Sequence, residues 1–562
     1  LYSTVYPDGS AEFYRYDEAG RLHSHTDADG NQTAYAYNLD NQPVERTNAL
    51  GDTFRYRYDA ARRLSELVNE NGDVYRFRYD ERDRLISETG FDGKTTGYTY
   101  NPAGDLVQEK RYGVHSATLL QTTVYHRDRS GRISQKDSHW AENSRSESSR
   151  YFYDKLNRLI RAFNDHSEIR LSYTADGLLA KEQFRPLSEP IRLDILQPRS
   201  TEGEKVTEYR YDVLGNRIQT ILPSGETLNY LYYGSGHLHH INLDGDTLSD
   251  IERDDLHRPI SRSAGKLHSR FELDPLGRLK QQLAELQPEH HQPETLIGRR
   301  YQYDKVGNLT RTEDQRSGHK DYAYDPLGRI TAAGDERFAF DPAHNIVSDG
   351  LTTRPVKGNR LTEYHGTRYV YDGLGNLSEQ HDDDGSRYYR YDADNQLIEA
   401  RIEKAGKPAE VWQYRYDALG RRISKASLNR KTEFIWEGSR LLQEYAPNGV
   451  YSYVYTEQGS YEPLAQIFKA NGATQSEVLY YHNDQIGIPR ELTDAEGHIV
   501  WSGEYSGWGK LTNPDNACLK KGVHQPFRLQ NQYADEETGL HYNFFRYYDP
   551  HCGRFTQQDP IG

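Results

Sequence analysis

Aromatic and charged residues alternate in short runs along this chain, and each run predicts a β-strand. In Tyr14-Arg15-Tyr16 the two tyrosines point to one face and the arginine to the other, the period-two pattern of a strand with unlike faces. The following Asp17 to Gly20 predicts a turn, because aspartate accepts backbone N–H bonds and glycine tolerates positive φ. A second strand follows, as in Arg84 to Thr89. The unit is therefore a predicted β-hairpin of two strands and two turns.

This hairpin unit repeats roughly fourteen times, which is typical of an architecture whose units bury their apolar faces only against neighbours. The first copies follow one another every 21 residues, and the later copies keep the same core at looser spacing. The aspartate or asparagine of the turn marks each copy: Asp17, Asn38, Asp59, Asp80, Asn101, Asp154, Asp212, Asp274, Asp304, Asp325, Asp341, Asp372, Asp392 and Asp417.

Composition favours a thin β wall over compact globular domains. The chain has 46 tyrosines but only 16 phenylalanines, and hydrophobic residues make up 35% of 562, which is low for this length. Tyrosine buries its ring and keeps its hydroxyl in water, which suits a wall with solvent on both sides. We therefore expect an all-β spiral of hairpins closing around a cavity. Ordinary β-sandwich domains in series are the alternative, and a disordered chain is disfavoured by the aromatic alternation.

Charge and cysteine content exclude several classes of protein. The net charge is -15 and acidic and basic residues interleave, so no basic stripe points to nucleic acid. No apolar run approaches a membrane span, and no signal peptide opens the chain. Two cysteines, Cys518 and Cys552, cannot form a disulfide framework, and free thiols are expected. Leu1 falls inside a repeat, which indicates a fragment or a processed product.

The chain divides into two predicted domains, a repeat shell over residues 1–445 and a different unit over residues 446–562. Repeat periodicity fades after Glu437, and Gly- and Trp-rich sequence such as Trp508-Gly509 replaces it. We expect the second unit to turn inward and lie against the lumen as a plug instead of extending the wall.

The repeats resemble the Tyr-Asp repeats of Rhs proteins, and the last zone is similar to the Rhs-associated core. The repeats alone are shared with teneurins, wall-associated bacterial proteins and insecticidal toxin C subunits, whereas the core is specific for polymorphic toxins. The core resemblance is carried by Tyr481 to Leu492, Gly539-Leu540, Tyr548 to Pro550, Gly553 to Phe555, and Asp559 to Gly562.

The resemblance implies a hollow cocoon-like shell that encloses its own C-terminal toxin. It also implies delivery by type VI secretion into target cells after synthesis in the bacterial cytoplasm. The implied partners are an N-terminal PAAR-type tip, a secretion spike, a chaperone and an immunity protein for the toxin. Neither the tip nor the toxin is present in this sequence. No cofactor or metal is implied, and no nucleic acid or membrane span.

The resemblance further implies an aspartyl autoprotease that cuts its own chain once. Hydrolysis by carboxylates needs two neighbouring acids, one that activates water and one that donates a proton. By the family motif these are Asp535 and Asp559, 24 residues apart, with Arg528 and Arg546 as supporting cations. The cleavage motif is Asp559-Pro560-Ile561-Gly562, and the cut is expected after the leucine that would follow Gly562. An end at Gly562 is consistent with a cleaved shell.

Two weaker groups of candidate site residues and two other functions stay open at this point. His541, His551 and Cys552 suggest a Cys–His nucleophile as a second route to self-cleavage. His237, His239 and His240 are expected to be exposed wall residues, because no spacing supports zinc. The functional alternatives are a C subunit of an insecticidal toxin complex and a Tyr-Asp-repeat adhesion or carbohydrate-binding protein.

Overall fold

Antiparallel β-strands make up nearly all of the regular structure. The computed structural model describes residues 2–114, 116–141, 146–188, 203–234, 236–286, 293–347, 356–513, 517–520 and 522–557. These ranges contain 50 strands and a short 3-10 helix, Lys357–Asn359.

The first sheet has 30 strands, and each strand pairs with the next along the chain. In order, β1 to β30 are Ser3–Val5, Ala11–Tyr16, Leu22–Thr26, Gln32–Tyr37, Pro43–Thr47, Thr53–Tyr58, Leu64–Val68, Val74–Tyr79, Leu85–Thr89, Thr95–Tyr100, Leu106–Tyr112, Leu119–Arg127, Ile133–Trp140, Ser146–Tyr153, Leu159–Phe163, Ser167–Tyr173, Leu179–Pro186, Lys205–Tyr211, Arg217–Ile221, Thr227–Tyr233, His237–Leu243, Asp246–Arg253, Pro259–Ala264, Leu267–Leu273, Leu279–Leu286, Glu294–Tyr303, Leu309–Asp314, Gly318–Tyr324, Ile330–Ala333 and Glu336–Arg337.

A two-stranded ladder, a 14-stranded sheet and a four-stranded sheet follow, again with sequential pairing. The ladder is β31 and β32, Ala339–Phe340 and Ile346–Val347. The large sheet, β33 to β46, is Glu363–Tyr364, Thr367–Tyr371, Leu377–Asp382, Gly385–Tyr391, Leu397–Glu403, Glu410–Tyr416, Arg422–Ser427, Arg430–Glu437, Arg440–Ala446, Gly449–Tyr455, Pro463–Ala470, Glu477–Asn483, Pro489–Thr493 and Ile499–Ser502. The small sheet, β47 to β50, is Tyr533–Ala534, His541–Asn543, Arg546–Asp549 and Arg554–Phe555.

In the copies that have an arginine in the turn, the turn motif ties one hairpin to the next. Asp59 Oδ1 accepts the backbone N–H groups of Ala61 and Arg63, both at 2.9 Å, and Oδ2 accepts Arg63 Nε at 2.8 Å. The hydrogen bond from the Arg63 side chain is the main cause that lowers the pKa of Asp59. The Arg63 guanidinium lies 4.9 Å from the ring of Tyr79 in the next repeat, and the Tyr79 hydroxyl donates to Leu64 O at 2.9 Å. The arginine therefore links two turns through a cation–π contact.

A β-bulge recurs at the end of these strands and bends the wall. The register shifts between Arg15 and Tyr16, and again between Arg57 and Tyr58, immediately before the turn aspartate. A bulge increases the local twist and bends its strand, so a bulge in every repeat gives the sheet continuous curvature. The repeats therefore form a spiral instead of a flat sheet.

Ion pairs between distant strands show that the spiral winds past itself. Asp8 contacts Arg278 at 3.8 Å and Asp92 contacts Arg360 at 3.4 Å, separations of 270 and 268 residues along the chain. Further on, Arg253 contacts Glu457 at 2.7 Å, a separation of 204 residues. The number of residues in one turn of the spiral thus falls along the chain. We call residues 2–273 the first coil and residues 274–502 the second coil.

The second coil nests inside the first from β39 onward. One face of this part packs on the first coil, through clusters that join Ile423 and Ile435 to Ile169, and Leu442 to Ile241. The opposite face packs on residues 503–557, which we call the terminal segment; the contacting residues include Phe434, Trp436, Phe527, Tyr533 and Tyr542. The early strands, by contrast, keep both faces partly exposed, as predicted for a thin wall.

The predicted all-β spiral shell with an inward C-terminal plug is confirmed, and the alternative of separate sandwich domains is wrong, because the strands follow one another in continuous sheets. The predicted domain boundary between residues 445 and 446 stays a prediction. The sheet from β33 to β46 crosses residue 446 without a break, since β41 pairs with β42 through four residue pairs. Nesting begins at β39, and the four-stranded sheet β47 to β50 lies after Ser502.

The repeat turns should differ in stability according to their burial. Asp417 is buried with Arg421 at 2.7 Å, and Arg421 also contacts Glu182 of the first coil at 2.8 Å. Asp417→Ala leaves a buried arginine with one partner, so we expect a loss of about 3 kcal/mol in the free energy of unfolding. The matched change Asp59→Ala lies in a solvated turn and should cost far less. Urea unfolding measures both; equal losses would contradict the layered packing.

Candidate functional site

The end of strand β47 fixes the position of Asp535 in the terminal segment. The backbone N–H of Asp535 donates to Leu540 O at 2.9 Å, and its carbonyl accepts the N–H of Gly539 at 2.8 Å. Gly539 has a φ of 77°, which suits the left-handed position that closes this turn. The turn therefore presents the Asp535 side chain at the junction between the terminal segment and the second coil.

The carboxylate of Asp535 is completely buried and is held by two cations of the shell wall. Its Oδ2 lies 2.5 Å from Arg422 Nη1 and its Oδ1 lies 3.0 Å from Lys425 Nζ. Both cations belong to β39, more than 100 residues earlier in the chain. Both oxygens of the acid are therefore engaged by charge-assisted hydrogen bonds, the strong class of such bonds.

Aromatic rings surround Arg422 where water would otherwise solvate it. The guanidinium carbon lies 4.3 Å from the ring centre of Tyr542 and 4.8 Å from that of Phe434. Arg422 Nη1 also lies 3.3 Å from the Tyr547 hydroxyl. Ring faces attract cations, most strongly where water is excluded. The rings thus offset part of the cost of burying the Arg422 charge.

A second carboxylate shares the lysine. Glu537 Oε2 lies 3.0 Å from Lys425 Nζ, and its Oε1 accepts the Tyr414 hydroxyl at 3.1 Å. Asp535 and Glu537 are thus two buried acids bridged by one ammonium group. We call Arg422, Lys425, Asp535 and Glu537 the Asp535 cluster.

The environment pushes the pKa values of the two acids apart. Burial by itself would raise the pKa of Asp535, but the charges and hydrogen bonds of Arg422 and Lys425 outweigh burial and lower it. The pKa of Glu537 is raised, first by burial and then by the negative charge of Asp535. Such a separation is typical of acid–base pairs in active sites. Asp535 is therefore the ionised member, and Glu537 is the acid that takes up a proton first.

The predicted supporting arginines do not hold Asp535. Arg528 Nη1 donates to the carbonyls of Gln525 at 3.1 Å and Phe527 at 2.8 Å. The Arg546 guanidinium stacks 3.8 Å from the Phe555 ring centre. The hydrogen bonds that hold Asp535 come from the wall instead, because β39 packs directly over the Asp535 turn. A tuning role for Arg528 and Arg546 stays a prediction, as does the second catalytic acid: Asp559, Pro560, Ile561 and Gly562 lie outside the described residues.

Sequence reasoning missed Arg422 and Lys425, although one signal was present. In the regular repeats the residue after the turn arginine is leucine, as in Arg21-Leu22 and Arg63-Leu64. At Arg421-Arg422 a second arginine takes this apolar position. Arg217 takes the same position in the Asp212 copy and contacts Glu437, 220 residues away. A charge at this position therefore marks a strand that contacts a distant layer of the chain.

The environment of Cys552 does not favour a nucleophilic thiol, and the wall histidines do not form a metal site. Cys552 is buried, and burial, followed by the charge of Asp549, raises the pKa of its thiol, whereas a nucleophilic cysteine needs a lowered pKa. His237 lies on the wall and stacks on His257 with ring centres 3.6 Å apart. Among the residues that the structure describes, no group of three or more metal-ligating side chains is arranged to hold an ion. No helix in the described ranges has the length and apolar content to cross a membrane.

Family models match both parts of the chain. The model described as RHS Repeat matches residues 16–53, 37–74, 63–95, 79–113 and 303–337. The model described as RHS protein matches residues 478–515.

Two toxins align with most of the chain. Double-stranded DNA deaminase toxin A of Burkholderia cenocepacia is 35% identical over 476 residues, which cover 79% of this chain and 32% of the toxin. Toxin protein Tse5 of Pseudomonas aeruginosa is 30% identical over 512 residues, covering 77% of this chain and 37% of the toxin. The chain thus spans about a third of the length of the curated relatives it matches.

The fold is shared with toxin-complex shells. The crystal structure of TcdB2-TccC3-TEV superposes with a TM-score of 0.74 at 15% identity, covering 99% of this chain and 33% of that chain. The structure of the Photorhabdus luminescens Tc holotoxin pore gives a TM-score of 0.70 at 14% identity, covering 99% of this chain and 32% of that one. Fold and sequence together define a spiral β shell with a packed terminal segment. The chain belongs to the Rhs family of Tyr-Asp-repeat polymorphic toxins.

Acid should weaken the terminal segment through His541. Burial, and then the charge of Arg528, lowers the pKa of His541 from 6.5 to about 3, while Asp535 acts in the opposite direction. The unfolded chain binds a proton at His541 below pH 6.5 and the folded chain does not, so stability falls as the pH drops from 6.5 toward 3. Between pH 7.5 and 5 this residue should account for a loss of about 2 kcal/mol.

The test uses His541→Asn, which keeps a donor near Gln532, the residue 2.9 Å from the imidazole Nδ1. Urea unfolding at pH 7.5 and pH 5 should show a smaller acid loss in the variant than in the parent chain. An unchanged difference between the two pH values would show that His541 is not buried as a neutral ring.

Proposed function

We propose that this chain is the toxin-encapsulating shell of a secreted antibacterial effector, and that it cuts itself once to free an enclosed C-terminal toxin. The observation that carries the proposal is the Asp535 cluster, a buried, ionised carboxylate beside a second acid at the junction of wall and terminal segment. Buried ion pairs elsewhere in this shell join its coils, whereas this one also lies at the position where the family resemblance implies a catalytic acid.

The proposed reaction is hydrolysis of a peptide bond just beyond Gly562, after the leucine that the family motif predicts there. Asp535 accepts a proton from water as the water oxygen attacks the scissile carbonyl carbon. The C–N bond then breaks, and the leaving nitrogen takes a proton from the second acid, Asp559 by family resemblance. Water is the only co-reactant, and its atoms are divided between the new carboxyl and amino termini. Because the cut segment belongs to the same chain, one turnover completes the reaction.

The rest of the proposed function comes from the relatives. Two of them carry the word toxin in their names, and each extends well beyond the matched third of its length. We propose that this chain likewise encloses its own C-terminal toxin and is made in the bacterial cytoplasm. Delivery into target cells would use a PAAR-type tip, a type VI secretion spike and a chaperone, and an immunity protein would protect the producer.

Two alternative functions have less support. A C subunit of an insecticidal toxin complex has the same fold, but those structures share only 15% identity with this chain, against 35% and 30% for the Rhs-type toxins. An adhesion or carbohydrate-binding repeat protein needs the wall but leaves the Asp535 cluster without a role.

The catalytic prediction is tested in a chain that carries its natural C-terminal continuation. Asp535→Asn and Asp559→Asn should leave that chain uncut, because asparagine keeps the shape of aspartate but cannot accept or donate the proton. Gel electrophoresis of purified shell measures the cut fraction. Asp549→Asn is the matched control, a buried aspartate of the same segment that should still allow cleavage. Cys518→Ser and Cys552→Ser should cut normally and so exclude a thiol nucleophile.

Cleavage should also be intramolecular, so its rate should not change on dilution, because the folded site holds its bond at high effective concentration. Blocking it should keep the toxin covalently attached and weaken killing of target cells without abolishing secretion. If both asparagine variants cut at the normal rate, the aspartyl mechanism is wrong, although the shell would remain.

A further inference from the structure

We propose that Arg422 and Lys425 of the shell wall are positioning residues for self-cleavage, holding the Asp535 carboxylate ionised and aimed while Glu537 opposes them through the shared lysine. This inference rests on the proposed autoproteolysis and extends it to a part of the chain that the family motif does not include.

A β-bulge is what brings the two cations together. Residues three apart on a regular strand point to opposite faces. In β39, however, Tyr416 pairs with Arg422 and Tyr414 pairs with Lys425, so Ile423 lies in a bulge where the register shifts. Because Tyr414 and Tyr416 share a face, their partners Arg422 and Lys425 share it too. Bulges often re-aim side chains beside active sites, and this one aims both cations at Asp535.

The two neighbouring arginines have different partners, because Arg421 belongs to the turn and Arg422 begins β39. Arg421 contacts Asp417 at 2.7 Å and Glu182 at 2.8 Å, on the side of the first coil. Arg421 and Arg422 are therefore adjacent, equally buried arginines, of which one holds two coils together and the other holds Asp535. This pair provides an internal control for the effect of losing a buried arginine.

The groups that face Asp535 fix the sign of the expected pH effect. Arg422 and Lys425 face it from β39 and favour its ionised form, whereas Glu537 faces it from its own turn and disfavours that form once it is itself ionised. The other ionisable neighbours are phenols and an imidazole: Tyr414 on β38, Tyr533 on β47, Tyr542 and His541 on β48, and Tyr547 on β49. Loss of Lys425 should therefore make Asp535 harder to ionise, and loss of Glu537 should make it easier.

The experiment measures the single-turnover cleavage rate against pH in the full chain with its natural continuation. In Lys425→Met the acid limb of the profile should move to higher pH by at least one unit, so that cleavage near that limb slows about tenfold or more. Lys425→Arg, which restores the charge, should recover most of the rate. In Glu537→Gln the limb should move the opposite way, to lower pH. A structural defect alone would slow cleavage at every pH and would not give opposite shifts.

Controls separate the inference from the proposed function. Glu536→Gln changes the exposed neighbour of Glu537 and should leave the profile unchanged. Arg422→Gln should cut far more slowly than Arg421→Gln when both variants are compared at equal folded fraction. Suppose that Asp535→Asn is uncut but the pH–rate profiles of Lys425→Met and Glu537→Gln coincide with that of the parent chain. The positioning role is then wrong, and the proposed autoproteolysis is still supported. If Asp535→Asn cuts at the normal rate, both the positioning role and the aspartyl mechanism are wrong.

Discussion

The arginine of the repeat turn, bound to the aspartate of its own turn and stacked on the tyrosine of the next, is the interaction on which the architecture depends. It converts a local hairpin into a chain of linked hairpins, since Arg63 joins Asp59 to Tyr79 across one repeat. The bulge before each turn then bends this chain of hairpins continuously. A sheet that must curve in one direction either closes into a barrel or passes itself, and here it passes itself as a tightening spiral.

The tightening of the spiral brings together the residues of the Asp535 cluster. In the early part of the shell the coils contact one another mainly through turns, and the wall is one sheet thick with both faces partly exposed to solvent. Where the second coil nests within the first, both faces of its strands are buried. The outward face packs against aliphatic residues, and the inward face, rich in tyrosine and tryptophan, receives the terminal segment. The Asp535 cluster lies in this inner layer and combines residues from β39 with residues more than 100 positions later. It therefore exists only where wall and terminal segment have docked.

Much of the wall could be predicted from sequence, because its determinants are local. Alternation such as Tyr14-Arg15-Tyr16 marks the strands, and Asp17 with Gly20 marks the turn. The nesting of the coils could not be predicted, since it depends on curvature accumulated over hundreds of residues. For that reason the fading of the repeat pattern after Glu437 predicts a plug from residue 446 but does not indicate which strands are nested. Asp535 was found through its family motif, whereas Arg422 was missed because it is distant in sequence and shares its charged repeat position with Arg217.

The central claim is that this shell cuts its own chain, and intact mass spectrometry of the purified chain with its natural C-terminal continuation tests it most directly. The account predicts two masses that sum to the uncut chain plus one water, with the break just beyond Gly562, after the leucine that the family motif predicts. A folded shell that shows only the mass of the uncut chain would contradict it.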